Sequence, residues 1–351
     1  MKNFLIIFFA LIIGGVGGYF AWKYLLSDNS GSFAGNRAVS SENYKEKFMW
    51  GVTARPSSLG KYVDEVWNNE LIYAKGLGVD WVRIAYDHNA GFSFHDEAFS
   101  YVKNQGLNIY LVIEPNGDFM ALSNSYQDGY EKGFSIAQHY KGQIKYYQLM
   151  NEAGSNALKS GNLSGETEPD LDPTKYEKTR DWIKGVSEGI KKADPSAYRV
   201  VTNQWTHVVF LNKLINDKVD FDIIGWDWFS DMGYMGEKKL ADGTLLIDKL
   251  KSYNKPIILA ECNRRPEGKN GRNGQNEEKQ AEYIQKMATW AHDAGLKGFY
   301  VLELLDSPPN QGRNYTDYYG IMSIKQKLNG TWVPDQPRKA FFTYKDTIAK
   351  Y

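Results

Sequence analysis

Short runs rich in branched and aromatic residues alternate along the chain with longer stretches whose apolar residues recur at helical spacing. The short runs are Phe48–Thr53, Val79–Ala85, Leu107–Ile113, Ile144–Met150, Tyr198–Asn203, Phe221–Trp226, Pro256–Glu261 and Gly298–Leu304. Each is bounded by turn-forming residues and reads as a strand. Between them, Val63–Gly76 places Val63, Val66, Trp67 and Leu71 on one helical stripe, and Tyr176–Lys192 does the same with Trp182, Ile183, Val186 and Ile190. Glu277–Ala294 repeats the pattern with Ala281, Ile284, Met287 and Ala288. Strand starts lie 23 to 54 residues apart. No gap is short enough for a hairpin, so every connection is a crossover and the strands run parallel. Eight such units predict an α/β fold of the (β/α)8, or TIM barrel, type. An open doubly wound sheet is the rival, but neither G-x-G-x-x-G nor a Walker pattern follows an early strand.

The N-terminal stretch breaks this alternation. Phe4–Trp22 is a 19-residue run without charge, flanked by Lys2 and Lys23. At ~1.5 Å rise per residue such a helix spans about 28 Å, close to the hydrocarbon thickness of a bilayer. The residues after it, Lys23-Tyr24-Leu25-Leu26, suit signal cleavage poorly. The expectation is therefore a transmembrane signal anchor over residues 1–26 and a polar tether over 27–42, with the folded part at 43–351. It places the folded part outside the cytoplasm, at a membrane or cell surface, or secreted if the segment is cleaved.

Charge and cysteine content narrow the chemistry. Lys+Arg 42 and Asp+Glu 42 balance, so no basic excess exists to neutralise a phosphate backbone and nucleic acid is not an expected partner. The single cysteine, Cys262, excludes an intrachain disulfide and a thiolate metal cage, and the five histidines show no zinc-binding spacing. No metal and no organic cofactor is expected. The 10 Trp, 24 Tyr and 17 Phe suit both a large core and the stacking of sugar rings.

In a barrel of this type, chemistry sits where strands end. The fourth predicted strand ends in Leu149-Met150-Asn151-Glu152 and the seventh in Leu259-Ala260-Glu261. Two carboxylates facing each other across a sugar-sized gap are what glycoside hydrolysis needs, one to protonate the departing oxygen and one to attack. With Arg83 in Trp81-Val82-Arg83-Ile84 and the closing runs Glu303-Leu304-Leu305-Asp306 and Arg338-Lys339-Ala340-Phe341-Phe342, the sequence resembles the retaining (β/α)8 glycoside hydrolases of clan A, the cellulase-like superfamily. The resemblance implies a carbohydrate substrate, Glu152 as general acid/base and Glu261 as nucleophile. It further implies that Arg83 supports the nucleophile and that Asn151 bonds the sugar hydroxyl beside the reacting carbon. A transglycosylase would use the same glutamates, and a non-catalytic sugar-binding barrel could retain them.

Four further residues are candidates for substrate contact. Trp226 and Trp228 alternate along the sixth strand and share a face, with Asp227 on the other. Their rings either stack on sugar or pack beneath the helices. Relatives carry a tyrosine near here that bonds the nucleophile, and the Trp228 indole N–H is the expected substitute. His207 is either a helix-start residue or a substrate contact, and Glu303 either touches substrate or balances Arg83. Glu114 is a subsite or ion-pair candidate. Cys262, one residue past Glu261, is expected to face away from the lumen. The polar stretch Gly268–Asn276 is a candidate loop over the substrate.

Overall fold

The computed structural model describes residues 47–56, 65–161, 163–264, 276–308 and 315–351. Phe4–Trp22, the tether and most of Gly268–Asn276 lie outside these residues, so the anchor and covering-loop expectations do too. Among the described residues, no helix is long and apolar enough to cross a membrane.

Eight parallel strands close into a barrel in sequence order. They are β1 (Met49–Thr53), β2 (Trp81–Ala85), β3 (Asn108–Ile113), β4 (Tyr146–Leu149), β5 (Tyr198–Gln204), β6 (Ile223–Phe229), β7 (Ile257–Asn263) and β8 (Gly298–Val301). The crossovers carry α1 (Glu65–Leu77), α2 (Gly91–Asn104), α3 (Ser125–His139), the short α4 (Ala153–Ala157), α5 (Pro173–Ala193), α6 (Val208–Asn216), α7 (Leu246–Lys251) and α8 (Glu277–Asp293). After β8 come an antiparallel pair, β9 (Met322–Gln326) and β10 (Trp332–Pro337), and then α9 (Lys339–Ile348). The barrel predicted from the spacing of the runs is the one observed. The eighth strand stops at Val301, short of Leu304, and the sixth runs on to Phe229.

Helices cover the strands outside and side chains fill them inside, so both faces are apolar over most of their length. Outward residues such as Val52, Val82, Leu111 and Ile224 join the helices in the main core. Inward residues Met49, Tyr110, Tyr146, Val200, Ile223, Ile258 and Tyr300 form a separate cluster in the lumen. Tyr300 fits because Gly51 faces it; a Cβ at residue 51 would lie 2.2 Å from the ring.

Four contacts hold the frame. In α5, Asp172 caps the N-terminus by accepting the Lys175 N–H at 3.1 Å, with Pro173 in the first helical position. Helices α3 and α5 meet backbone to backbone. A Cβ on Gly129 or Gly185 would lie 2.3 or 2.1 Å from a carbonyl oxygen of the facing helix. At the barrel seam, the buried Tyr344 hydroxyl of α9 donates to the carbonyls of Gly51 at 3.0 Å and Phe299 at 3.2 Å. Arg338 pairs with Asp306 through two hydrogen bonds of 2.8 and 2.6 Å.

Candidate active site

At the C-terminal ends of the strands the lumen changes from rings to charge. Glu261 reaches it through an irregularity in β7. Leu259 is in register with Trp226, but Glu261 rather than Ala260 is in register with Asp227. The extra residue forms a bulge, a device that re-aims the side chains beyond it. Ala260 belongs to the lumen cluster, Glu261 bonds the lumen arginine Arg83, and Cys262 is buried among the outer core residues. The cysteine is a free buried thiol, as expected, and burial pushes its pKa up.

Arg83 organises this mouth. Its Nη1 meets Glu261 Oε1 at 2.7 Å, its Nε donates to Gln148 Oε1 at 2.9 Å, and its Nη2 donates to Asn151 Oδ1 at 2.8 Å. Burial is the largest influence and opposes its charge, but Glu261, Asp227, Tyr110 and Glu114 together outweigh that cost and hold the guanidinium more firmly protonated. Gln148 adds a second donor to Asn151 Oδ1, at 2.7 Å, and another to Thr202 Oγ1, at 2.7 Å. The Asn151 carbonyl is thereby fixed by two donors. Its backbone N–H donates to Glu114 Oε1 at 2.9 Å. Burial pushes the Glu114 carboxyl up to about 7 against the opposing pull of that N–H.

Glu152 is set by the backbone. Met150 (φ 70°) and Glu152 (φ 43°) both occupy the left-handed region, which costs a non-glycine residue about 1–2 kcal/mol. Such conformations persist where the surroundings over-determine them. Here the Met150 carbonyl accepts the Thr202 hydroxyl at 2.9 Å, and Glu152 Oε2 accepts Gln204 Nε2 at 2.7 Å. Gln204 also donates to Ser155 Oγ at 2.8 Å, so it ties the Glu152 carboxylate to the first turn of α4.

Glu152 and Glu261 thus meet across the mouth, and Asp227 of β6 joins them. One carboxylate oxygen from each of the three lies within 4.8 Å of the others. Among the described residues this is the grouping compact enough to surround a cation. The guanidinium of Arg83, however, already lies against Glu261.

The remaining candidates fall into two groups. Arg83, Asn151 and Glu303 are at the mouth with the two glutamates. Glu303 is buried and pairs with Arg55 Nε at 2.9 Å, not with Arg83. Burial pushes its carboxyl up to about 7, aided by Asp306 and Glu261 and opposed by Arg55. Trp226, Trp228 and His207 stand differently. Both indoles are 0 % exposed and belong to the core between barrel and helices. Their N–H groups donate to the carbonyls of Trp205 at 3.1 Å and Gly233 at 3.0 Å. The expectation that they face substrate, and that the Trp228 N–H reaches Glu261, is corrected: their shared face is the outer one. His207 is buried at the start of α6, with Nδ1 3.4 Å from Ser155 Oγ, and burial lowers its pKa to about 4. It is a neutral support beneath the site rather than a lining residue.

Sequence reasoning missed Asp227, Gln148, Thr202, Gln204 and Arg55. Asp227 had a readable signal, since a lone carboxylate inside an apolar strand needs a reason to be there. The others are ordinary polar residues at strand ends. Trp205 was also missed as a rim aromatic. It adopts φ 50°, stacks on Trp228 at 5.8 Å between centroids and carries Lys238 Nζ 3.7 Å above its ring.

No family model matches the chain, and neither does any curated protein. Solved structures do. The β-glucosidase from Thermotoga maritima in complex with cyclophellitol superposes with a TM-score of 0.62 at 13% identity, over 87% of this chain and 98% of that one. The same enzyme with castanospermine gives 0.63 at 14% over the same shares, and another structure of it, described as a family 1 β-glucosidase, gives 0.62 at 13%. The resemblance to barrel glycosidases is therefore present in three dimensions, and at this identity it is a likeness of fold.

Proposed function

We propose that the chain is a retaining glycoside hydrolase acting on a β-linked oligo- or polysaccharide, with Glu261 as nucleophile and Glu152 as acid/base. The observation that carries this reading is the approach of the Glu152 and Glu261 carboxylate oxygens to within 4.8 Å at the barrel mouth. Retaining enzymes hold their carboxyl groups about 5–5.5 Å apart, whereas inverting enzymes need ~6.5–9.5 Å to admit a water.

The two glutamates have different surroundings, as their roles require. Glu261 is ion-paired with a buried arginine, which favours an anionic oxygen ready to attack the anomeric carbon. Glu152 accepts from a neutral amide, which orients it without adding positive charge. In the first step Glu152 protonates the leaving oxygen while Glu261 forms the glycosyl ester. In the second, Glu152 takes a proton from water, and that water releases the sugar with its configuration kept. Asn151, its carbonyl fixed by Arg83 and Gln148, offers its amide to the neighbouring sugar hydroxyl. The fold of the β-glucosidases named above supports the same class. We place the activity outside the cytoplasm, tethered by the apolar run Phe4–Trp22.

The test is a panel of β-glycosides offered to the full chain, with the product anomer followed by NMR. Glu261→Gln should lower turnover by about 10³-fold or more while leaving binding, and a 2-fluoro glycosyl probe should label Glu261. Binding without turnover across the panel would leave a sugar-binding barrel instead, and an inverted product would reject the double displacement. Recovery of the full chain from cells without detergent, in the cytosolic fraction, would reject the tethered location.

A further inference from the structure

The mechanism above leaves one buried acid unused. Asp227 is 0 % exposed, and neither of its oxygens has a hydrogen-bond partner. Its place in register with Glu261 turns it into the lumen, and its carboxylate lies within 4.8 Å of both Glu261 and Glu152. The groups that face it are Glu261 from β7, Glu152 beyond β4, Arg83 from β2 and Tyr110 from β3, with the Cys262 thiol nearby on the outer face of β7. Only Arg83 brings positive charge, and it is already bonded to Glu261. With the acid's proton on Glu152, Asp227 and Glu261 remain beside one guanidinium, and because that guanidinium is bonded to Glu261, like charge in this buried site forces a second proton onto Asp227.

We propose that Asp227 is a positioning residue that keeps its proton at neutral pH and donates it as a hydrogen bond to the Glu261 carboxylate. The inference rests on Glu261 being the nucleophile. Burial and the neighbouring Glu261 and Glu152 carboxylates drive the Asp227 pKa well up, against Arg83. The Glu261 backbone N–H lies near enough to favour the charged form without making a hydrogen bond. As an acid, Asp227 has an O–H with the Glu261 carboxylate before it. Rotation of side chains closes the remaining gap when substrate fills the mouth, as catalytic hydrogen bonds commonly tighten on binding. Arg83 then holds one oxygen of Glu261 and Asp227 the other. The pair fixes the plane of attack and stabilises the carboxylate when it leaves the glycosyl ester. A cation among the three groups would instead need Asp227 ionised and would sit against Arg83.

The test compares Asp227→Asn, which keeps an N–H donor, with Asp227→Ala, which keeps none. On an activated aryl glycoside, whose leaving group needs no proton from Glu152, Asp227→Ala should lose about 10²–10³-fold in kcat, the usual cost of one oriented donor. Asp227→Asn should stay within about tenfold of the wild type. Equal loss in both variants, or loss in neither, overturns the proposal. Independently of folding in the variants, ¹³C NMR of the wild-type chain labelled at aspartate carboxyls should show one aspartate still protonated at pH 7. That resonance should be absent from Asp227→Asn, and titration of every aspartate in the ordinary range overturns the proposal without recourse to activity. Saturable binding of Ca²⁺ or Mn²⁺ that Asp227→Asn abolishes also overturns it. A wild-type chain that shows the protonated resonance yet cleaves no glycoside would sink the glycosidase reading, and with it the role given to this proton.

Discussion

The floor and the mouth of the lumen are built by the same strands and obey different rules. At the floor, Tyr110, Tyr146 and Tyr300 interlock with Met49, Val200, Ile223 and Ile258, and the strands there keep regular alternation. At the mouth, Arg83 bonds Glu261, Gln148 and Asn151, and the backbone departs from regularity at Ala260, Met150, Glu152 and Trp205. The floor spends its residues on filling space. The mouth holds charge in place, and it needs irregular backbone to do so, because strict alternation would not bring carboxylates from β4, β6 and β7 to one point. Stability should therefore be governed by volume below and by charge pairing above.

Substitution of Arg83 tests the upper half most severely. Arg83→Met strips the countercharge from buried Glu261 and two donors from its neighbours. It should cost about 3–5 kcal/mol of stability, as removing one partner of a buried pair does, and about 10²–10³-fold in kcat/KM. Denaturant titration and kinetics read the two losses separately. A variant that keeps both would mean that the mouth is not organised by this charge.

The lower half answers to Gly51→Ala, which drives a methyl group into the Tyr300 ring. The expected cost is about 1–3 kcal/mol, the range for overpacking a filled core, with turnover per folded molecule nearly unchanged. Lost turnover at full stability would break the separation of floor from mouth.

The smallest effect concerns pH and Glu303. Its carboxyl is pushed from 4.5 up to about 7 in the fold, so the native state binds this proton more tightly than the unfolded chain. Its stabilising contribution is complete below about 4.5 and is lost as pH rises through about 7. Glu303→Gln removes that dependence. The melting temperature of the variant, relative to wild type, should rise between pH 4.5 and pH 8, as scanning calorimetry would record. A difference that stays flat over this range would show that Glu303 does not titrate as its burial implies.

How far the sequence could be read follows the same division. The eight strands were legible because each is a short branched or aromatic run between turn residues, and both glutamates because strand ends are where a barrel displays its chemistry. Trp226 and Trp228 were misread for a physical reason. When a sheet is covered outside and filled inside, both faces are apolar, and alternation separates them without saying which is which. Asp227, on the face opposite those tryptophans, was passed over through the same ambiguity. Gln148, Thr202 and Gln204 were out of reach because their importance lies in contacts across strands far apart in the chain. The β9–β10 pair left a local mark in Asn329-Gly330, where Gly330 has φ 84°, but it lies beyond the repeating pattern that organised the reading.

The single added residue at Ala260 acts as a change of parity. Before it, even-numbered positions of β7 such as Ile258 look into the lumen; past it, an odd-numbered one does. Were Ala260 instead drawn into regular pairing with Asp227, the strand would exchange what it delivers, bringing Cys262 to the lumen and burying the acid among the helices; deleting the alanine would leave Glu261 opposite Asp227 and facing the lumen. A carboxylate would be traded for a thiol without touching either residue, so in related chains the pairing of this one position is worth as much notice as a substitution in the site itself.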